Sequence, residues 1–349
     1  MVLTHYVTTN RLSVYGLSST ISNTKPFWHF SLAQSLSMTN SQISPRSVTT
    51  TSQTKDGPWG DHSARHFGAM LLLALMWGLS IPVTKLGLQD LPPLTLTALR
   101  FAFAVPLMLL FTLGRQAMPL RALPKVAALG LLGIGVGQVA QTFGVAGTSA
   151  SVGTIVSATI PLFIVVFAAM RLGQHVSRIQ ALGLLTAFAG IALVALGDMD
   201  TGAAASANTL WGVVWMLLSS VAVAFYYVWS VELTNAHGTA TVAAWSTAFG
   251  FLALLPWAGW ELTQAPVQFS AKGIGAAAYL GVFVTVAGLY IWLGLLRVMP
   301  ARVAAAVQYL QPIFGIAAAA VLLGDRLGAA FVMGSVLVLA GLGITLSRR

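Results

Sequence analysis

Ten stretches of this chain are each long and apolar enough to cross a lipid bilayer, near residues 67–87, 94–113, 126–146, 150–170, 179–197, 210–231, 240–260, 274–296, 303–324 and 328–346. A bilayer core takes about 20 mostly apolar residues per helix. Inside it no water can satisfy an open backbone, so a spanning segment must be a helix or part of a closed barrel. The alternation of a barrel strand is absent from these stretches, which leaves helices. The expected fold class is an all-α membrane protein with ten transmembrane helices. Composition agrees: 57% of residues are hydrophobic and 7% charged, with a mean hydropathy of +0.82, where a soluble domain has about 25% charged residues.

The formal charge of +10 does not point to nucleic acid, because the basic residues are scattered between spans rather than gathered on one face. They read as topology signals. With the first span starting inside, Arg115, Arg121, Lys125, Arg171, Arg178, Arg297, Arg302, Arg348 and Arg349 all fall on the cytoplasmic side. The other side receives Asp90, Asp198, Asp200, Glu261 and Asp325, with Lys85, Arg100, Lys272 and Arg326 as its basic residues. Positive residues stay inside, so both termini are expected in the cytoplasm of an inner-membrane, multi-pass protein. The sequence has no cysteine, which excludes disulfides and thiolate chemistry, and no cofactor or metal is expected.

Residues 1–66 form a separate Ser/Thr-rich extension, expected to be disordered. Residues 1–55 contain no acid and only Arg11, Lys25, Arg46 and Lys55 as bases. Three readings stay open: a real tail, an organelle transit peptide, or a start codon called too early.

Beyond it the chain repeats. A shift of 151 residues places Gly130, Gly137, Ala150, Val152, Pro161, Phe163, Gly173, Gly183 and Gly190 on Gly281, Gly288, Ala301, Val303, Pro312, Phe314, Gly324, Gly334 and Gly341 without a gap. This divides the body into a first five-helix repeat, 67–197, a linker loop, 198–209, and a second repeat, 210–349. Five is odd, so the second repeat must enter the membrane inverted. The loops agree: "VAGTSASV" carries no charge where its counterpart "LRVMPARV" has Arg297 and Arg302. Gly183, Gly190 and Gly197, and likewise Gly334 and Gly341, recur every seven residues and give two helices a smooth stripe. Such stripes allow close packing, either within one chain or at the seam of a homodimer.

The stretches "MWGLSIPVTKLGLQDLPPLTLTALRF", "TSASVGTIVSATIPLFIVVFAAMRLGQHV" and "MPARVAAAVQYLQPIFGIAAAAVLLGDRL" resemble the EamA-type branch of the drug/metabolite transporter superfamily over about residues 67–346. The last two echo that family's pattern of a small-residue turn, an apolar span with central proline, and a closing glycine followed by an acid. Gln174 replaces the first acid and Asp325 stands for the second, so these positions are not read as carrying charge across. The resemblance implies a ten-helix exporter or permease for small metabolites, often amino acids or related compounds.

Within the spans, polar residues are few and grouped. A helical proline frees the carbonyl four residues before it, here at Ser157 for Pro161 and at Gln308 for Pro312. These positions correspond under the repeat. Together with Gln311 they are expected to line a central substrate site near the membrane middle, or else to bond to neighbouring helices. Gln138 and Gln141, spaced i, i+3, are candidates for the same cavity. Tyr227, Tyr290 and Trp292 suit an aromatic wall beside it, and Trp77 lies near the centre of the first span. Trp211, Trp257 and Trp260 read as interfacial anchors. Lys85 and Arg100 are placed toward the outer ends of the first two spans. They either snorkel to the headgroups or, since "TK" and "LRF" also match the family pattern, act as an external gate that attracts anions.

No His falls inside a span, and Glu232, at the inner end of the sixth, reads as a solvated charge, so proton antiport has no obvious carrier. Facilitated diffusion, exchange, or coupling through Glu232 or the substrate itself stays open. An embedded enzyme would need a nucleophile and base or a metal cluster, and His175 and His237 stand alone in loops. No phosphate-binding G-x-x-x-x-G-K-[ST] loop is present. The function expected is secondary transport of a small molecule through the bilayer. The rival reading is a non-transporting receptor or assembly subunit.

Overall fold

A computed structural model describes residues 62–114, 118–172, 176–199, 206–264, 267–298 and 306–346, with side chains over 65–114, 118–171, 176–195, 210–264, 267–295 and 310–345. The extension as far as residue 61, residues 200–205 of the 198–209 linker, Gln174, His175 and the side chain of Gln308 lie outside the described residues. Among those residues every regular element is helical.

The apolar runs form α1 (Arg65–Gly87), α2 (Pro93–Leu110), α3 (Leu123–Gly147), α4 (Ala150–Arg171), α5 (Arg178–Met199), α6 (Ser206–Trp229), α7 (Thr239–Gln264), α8 (Ala271–Leu295), α9 (Ala306–Leu323) and α10 (Ala329–Leu346). By length and composition, α1 to α8 can each cross a membrane. The apolar segments within α9 and α10, Leu310–Leu323 and Ala329–Thr345, are shorter. Helix starts follow local chemistry. Pro93 opens α2 where its missing N–H costs nothing, and Ser149 and Ser270 cap α4 and α8 by accepting from Val152 N and Gly273 N.

Buried hydroxyls are satisfied mostly by their own helices. Thr84, Thr142, Thr148, Thr154, Ser220 and Thr345 each donate to the carbonyl four residues earlier. That lets a helix carry polar atoms into an apolar interior without unsatisfied donors. Large apolar side chains also point outward, among them Leu72, Leu132, Leu185, Trp211, Trp257 and Val336. An outward apolar surface of this kind fits a lipid environment.

Helices α5 and α10 make the most extensive pairing, and α3 packs on α6 and α7 while α8 packs on α1 and α2. The glycine stripes explain the first. A methyl group built on Gly183 would lie 2.7 Å from the Gly341 carbonyl oxygen, and one on Gly190 would lie 2.6 Å from that of Gly334. Only glycine lets the two backbones approach so closely. Gly183, Gly190, Gly334 and Gly341 thus pack against one another inside the chain, between α5 and α10.

Four spans are irregular. α1 turns at Leu79, α3 is π-helical over Gly130–Gly135, and α8 is π-helical over Tyr279–Ala287. α4 is interrupted at Ala158 and Thr159, just before Pro161, whereas Pro312 sits inside a continuous α9. The two prolines thus share a sequence register but not a helix break. In α4 the amide of Ala158 turns back to Thr154 O and Ile155 O, and that of Thr159 to Val156 O, closing the helix before the proline is reached.

Candidate functional site

Among the described residues, Arg100 is the one charged side chain that is buried. It stands eighth in the 18-residue α2 and is only 9% exposed, deeper than the outer-end placement expected from sequence. Its Nη1 donates to Gln138 Oε1 on α3 at 2.6 Å, and its Nε donates to Thr285 Oγ1 on α8 at 3.1 Å. Both partners are neutral. Close by, Thr97 on α2 and Thr142 on α3 share a hydrogen bond of 2.8 Å, and Thr142 also donates to Gln138 O. One connected layer thus joins α2, α3 and α8.

Thr285 owes its position to the π-helical stretch of α8, where its hydroxyl reaches back five residues to Leu280 O at 2.8 Å. The same stretch leaves the Val284 carbonyl to accept from Trp77 Nε1 at 3.1 Å. Irregular helix turns of this type release backbone groups from the ladder, and here an indole takes one up. Trp77 also packs against Gly288 and lies 5.9 Å, ring to ring, from Trp292. Tyr279 OH donates to Met76 O, a second link between α1 and α8.

The other sequence candidates are dispersed. Gln141 is half-buried one turn beyond Gln138 on α3. Ser157 donates to Thr154 O within α4. Tyr290 packs edge-on against Phe111 at 5.1 Å, and Tyr227 on α6 is exposed and lies 6.1 Å, ring to ring, from Tyr226. Gln311 is half-buried on α9 where that helix crosses α1. A methyl on Gly78 would meet the Gln311 carbonyl oxygen at 2.8 Å, so the crossing depends on bare backbone.

Lys85 is bound at the end of the bundle. Its Nζ donates to the carbonyls of Val145, Ala146 and Thr148 at 2.8, 3.1 and 2.6 Å. These are the last carbonyls of α3, where a cation also meets the negative end of the helix dipole. Asp325 Oδ2 accepts from Ser151 N, at the start of α4, at 2.8 Å. Glu261 accepts from the amides of Leu94 and Thr95 at the start of α2, at 3.1 and 2.7 Å. Asp90 accepts from Ser270 Oγ and pairs with Lys272 at 3.2 Å, and these contacts hold its carboxyl below the usual carboxylate range. Each contact of these three acids joins residues more than 160 apart in sequence, all at one end of the bundle. A cavity of about 480 Å³ opens there, lined by Lys85, Gln89, Asp90, Pro93 and Asp325 among others. At the opposite end Arg171 pairs with the exposed Glu232 at 2.7 Å, donates to Val228 O and lies over the Trp229 ring.

Thr97, Thr142 and Thr285 were not singled out from the sequence. The available signal was the i, i+3 pair Thr97 and Arg100 in "TLTALRF", with a lone threonine in "VFVTVAG".

Residues 67–196 and 210–347 each match the EamA-like transporter family. The inner membrane transporter YedA of Escherichia coli strain K12, itself uncharacterized, is 30% identical over 267 residues, which is 75% of this chain and 82% of its own. A Salmonella typhimurium protein named "Probable amino-acid metabolite efflux pump" is 28% identical over 292 residues, 78% of this chain and 92% of its own. One solved crystal structure matches 81% of this chain and 96% of its own with a TM-score of 0.57 at 20% identity, a likeness of fold alone.

Proposed function

Because this chain belongs to the EamA-like transporter family, we propose that it is a secondary transporter that moves amino acids or related small metabolites outward across the cytoplasmic membrane by alternating access. The observation that carries the reading is the buried Arg100 layer, in which a cation on α2 bridges to α3 of its own half and α8 of the other through neutral side chains. A polar layer shared by two halves within an apolar bundle is where a carrier can hold a solute and be reshaped by it. Export, and amino acids as cargo, follow the Salmonella relative's name.

In this reading the body is ten spans in two inverted five-helix halves, 67–197 and 210–346. The double family match supports it, as does the pairing of α5 with α10. Gly183 meets Gly341 while Gly190 meets Gly334, and each pair is the 151-residue image of the other. A two-fold axis in the membrane plane produces such antiparallel self-pairing. Both termini face the cytoplasm, so the Asp90, Glu261 and Asp325 end faces out. The residues assigned to the solute path are Arg100, Gln138, Gln141, Gln311 and Trp292, with Gln308 added from sequence. Lys85 serves the outer end as a helix cap.

Reconstituted protein preloaded with an unlabelled amino-acid pool should take up labelled amino acids by counterflow. A correctly folded and oriented preparation that moves none of a broad metabolite panel overturns the reading. Topology is tested separately, since the chain has no native cysteine. Gln268→Cys should react with a membrane-impermeant maleimide from outside the cell and Leu120→Cys should not. The reverse pattern refutes the orientation.

A further inference from the structure

We infer that Arg100 is a carboxylate-binding subsite, which makes the cargo a monocarboxylate recognised by its acid group; this rests on the transport reading above and names the substrate chemistry of the same layer. A guanidinium has five N–H donors, and Arg100 uses two of them, on Thr285 and Gln138. Its positive charge is buried, and among the described residues no carboxylate pairs with it. A buried charge is costly unless paired, so an ordinary structural arginine at this depth would carry an acid partner.

Every carboxylate whose side chain is described is committed elsewhere. Asp90 is held by Ser270 and Lys272, Glu232 by Arg171, Glu261 by the first amides of α2, and Asp325 by Ser151 N. Both ion pairs found among the described residues lie at the ends of the bundle, away from Arg100. Thr285 and Gln138 fix the guanidinium without neutralising it, since each supplies one neutral oxygen. That is the arrangement a site needs when its counter-ion is the cargo.

The same accounting selects the class of anion. One cation is present in the layer, and Lys85, the next basic residue along the fold, is turned to the α3 carbonyls. A planar, singly charged carboxylate matches one guanidinium fork. A doubly charged phosphate would leave one charge uncompensated in an apolar surround. Thr285 belongs to the second half and Gln138 to the first, so a carboxylate arriving at Arg100 acts on contacts that tie the halves together.

The test uses full-length protein in proteoliposomes, with labelled neutral L-amino acids as counterflow substrates. Unlabelled competitors are supplied as matched pairs, leucine with leucinamide and phenylalanine with phenylalaninamide. Each pair keeps the side chain and removes only the acid. The acid should compete at least about tenfold better than its amide, the loss expected for one charge-assisted hydrogen bond. Arg100→Gln should abolish the discrimination, and Arg100→Lys should retain part of it. A structural clasp would lower transport in both variants without changing the acid-to-amide ratio. Equal competition by acid and amide in the wild type, or unchanged discrimination in Arg100→Gln, overturns the subsite while leaving transport intact. Absence of counterflow for every label in the wild type overturns the transport reading and the subsite with it. Should Arg100→Gln fail to fold, thermal stabilisation of the wild-type protein by the same acid and amide pairs decides the matter, equal shifts refuting it.

Discussion

Replacing Gly341 by alanine tests the backbone-to-backbone seam between α5 and α10. The added methyl would sit 2.5 Å from both the Gly183 carbonyl oxygen and the Ala187 amide nitrogen. Both are backbone atoms of α5, so neither can swing aside as a side chain would. Restoring an ordinary contact distance of 3.4 Å requires α5 and α10 to part by roughly 1 Å along that line, which weakens dispersion contacts over the rest of their seam. Overpacking of this kind costs about 1–3 kcal/mol, while Gly→Ala in a helix returns up to about 1 kcal/mol of propensity. The net loss is about 1–2 kcal/mol, near tenfold in the unfolding equilibrium. Gly259, inside α7, provides the matched control, because a methyl there meets nothing within 4 Å. Gly259→Ala should be neutral or stabilising. The pair should be compared by thermal unfolding of purified protein in one detergent. Gly183→Ala combined with Gly341→Ala should cost less than the sum of the single changes, since the first already separates the same helices. A Gly341→Ala protein that melts with or above Gly259→Ala would refute the claim that these backbones touch.

Three further outcomes follow from named contacts. Trp77→Phe keeps the ring but leaves the Val284 carbonyl without its indole donor, and should lower stability by about 0.6–1.5 kcal/mol in a thermal melt. Lys85→Ala uncaps α3 and should reduce melting temperature by a margin equivalent to about 1 kcal/mol, while leaving the order of competing substrates in counterflow unchanged; a reordered preference would return Lys85 to the solute path. Asp90 is depressed in the folded state, chiefly by the Ser270 hydrogen bond. Its contribution is therefore fully present above the ordinary carboxylate range and is lost as pH falls through the lower folded value. Wild type and Asp90→Asn should differ by a constant amount between pH 5 and pH 8 and converge below about pH 4, and a gap that closes near neutrality would contradict this.

Much of the fold was legible because its signal is local. Hydropathy over about 20 residues marks a span, and the 151-residue shift depends only on order along the chain. The site was legible in its residue types and less so in its depth. Arg100 and Gln138 were both singled out, yet nothing in "TALRF" states that the two meet. Lys85 and Arg100 looked equivalent as basic residues near span ends, and the structure separates them into a helix cap and a buried cation.

From the sequence alone came the membrane environment, the number of apolar windows and the internal repeat, together with the helical class, which follows from the backbone's need to close its hydrogen bonds in lipid. The tertiary structure decided which glycine stripe meets which, that α8 winds into a π-helical turn to offer Thr285 and the Val284 carbonyl, and that Arg100 finds amide and hydroxyl partners while each described acid is taken up elsewhere. These are meetings of residues some 40 to 210 positions apart. They depend on the register and rotation of whole helices against one another, quantities that no local run of residues encodes.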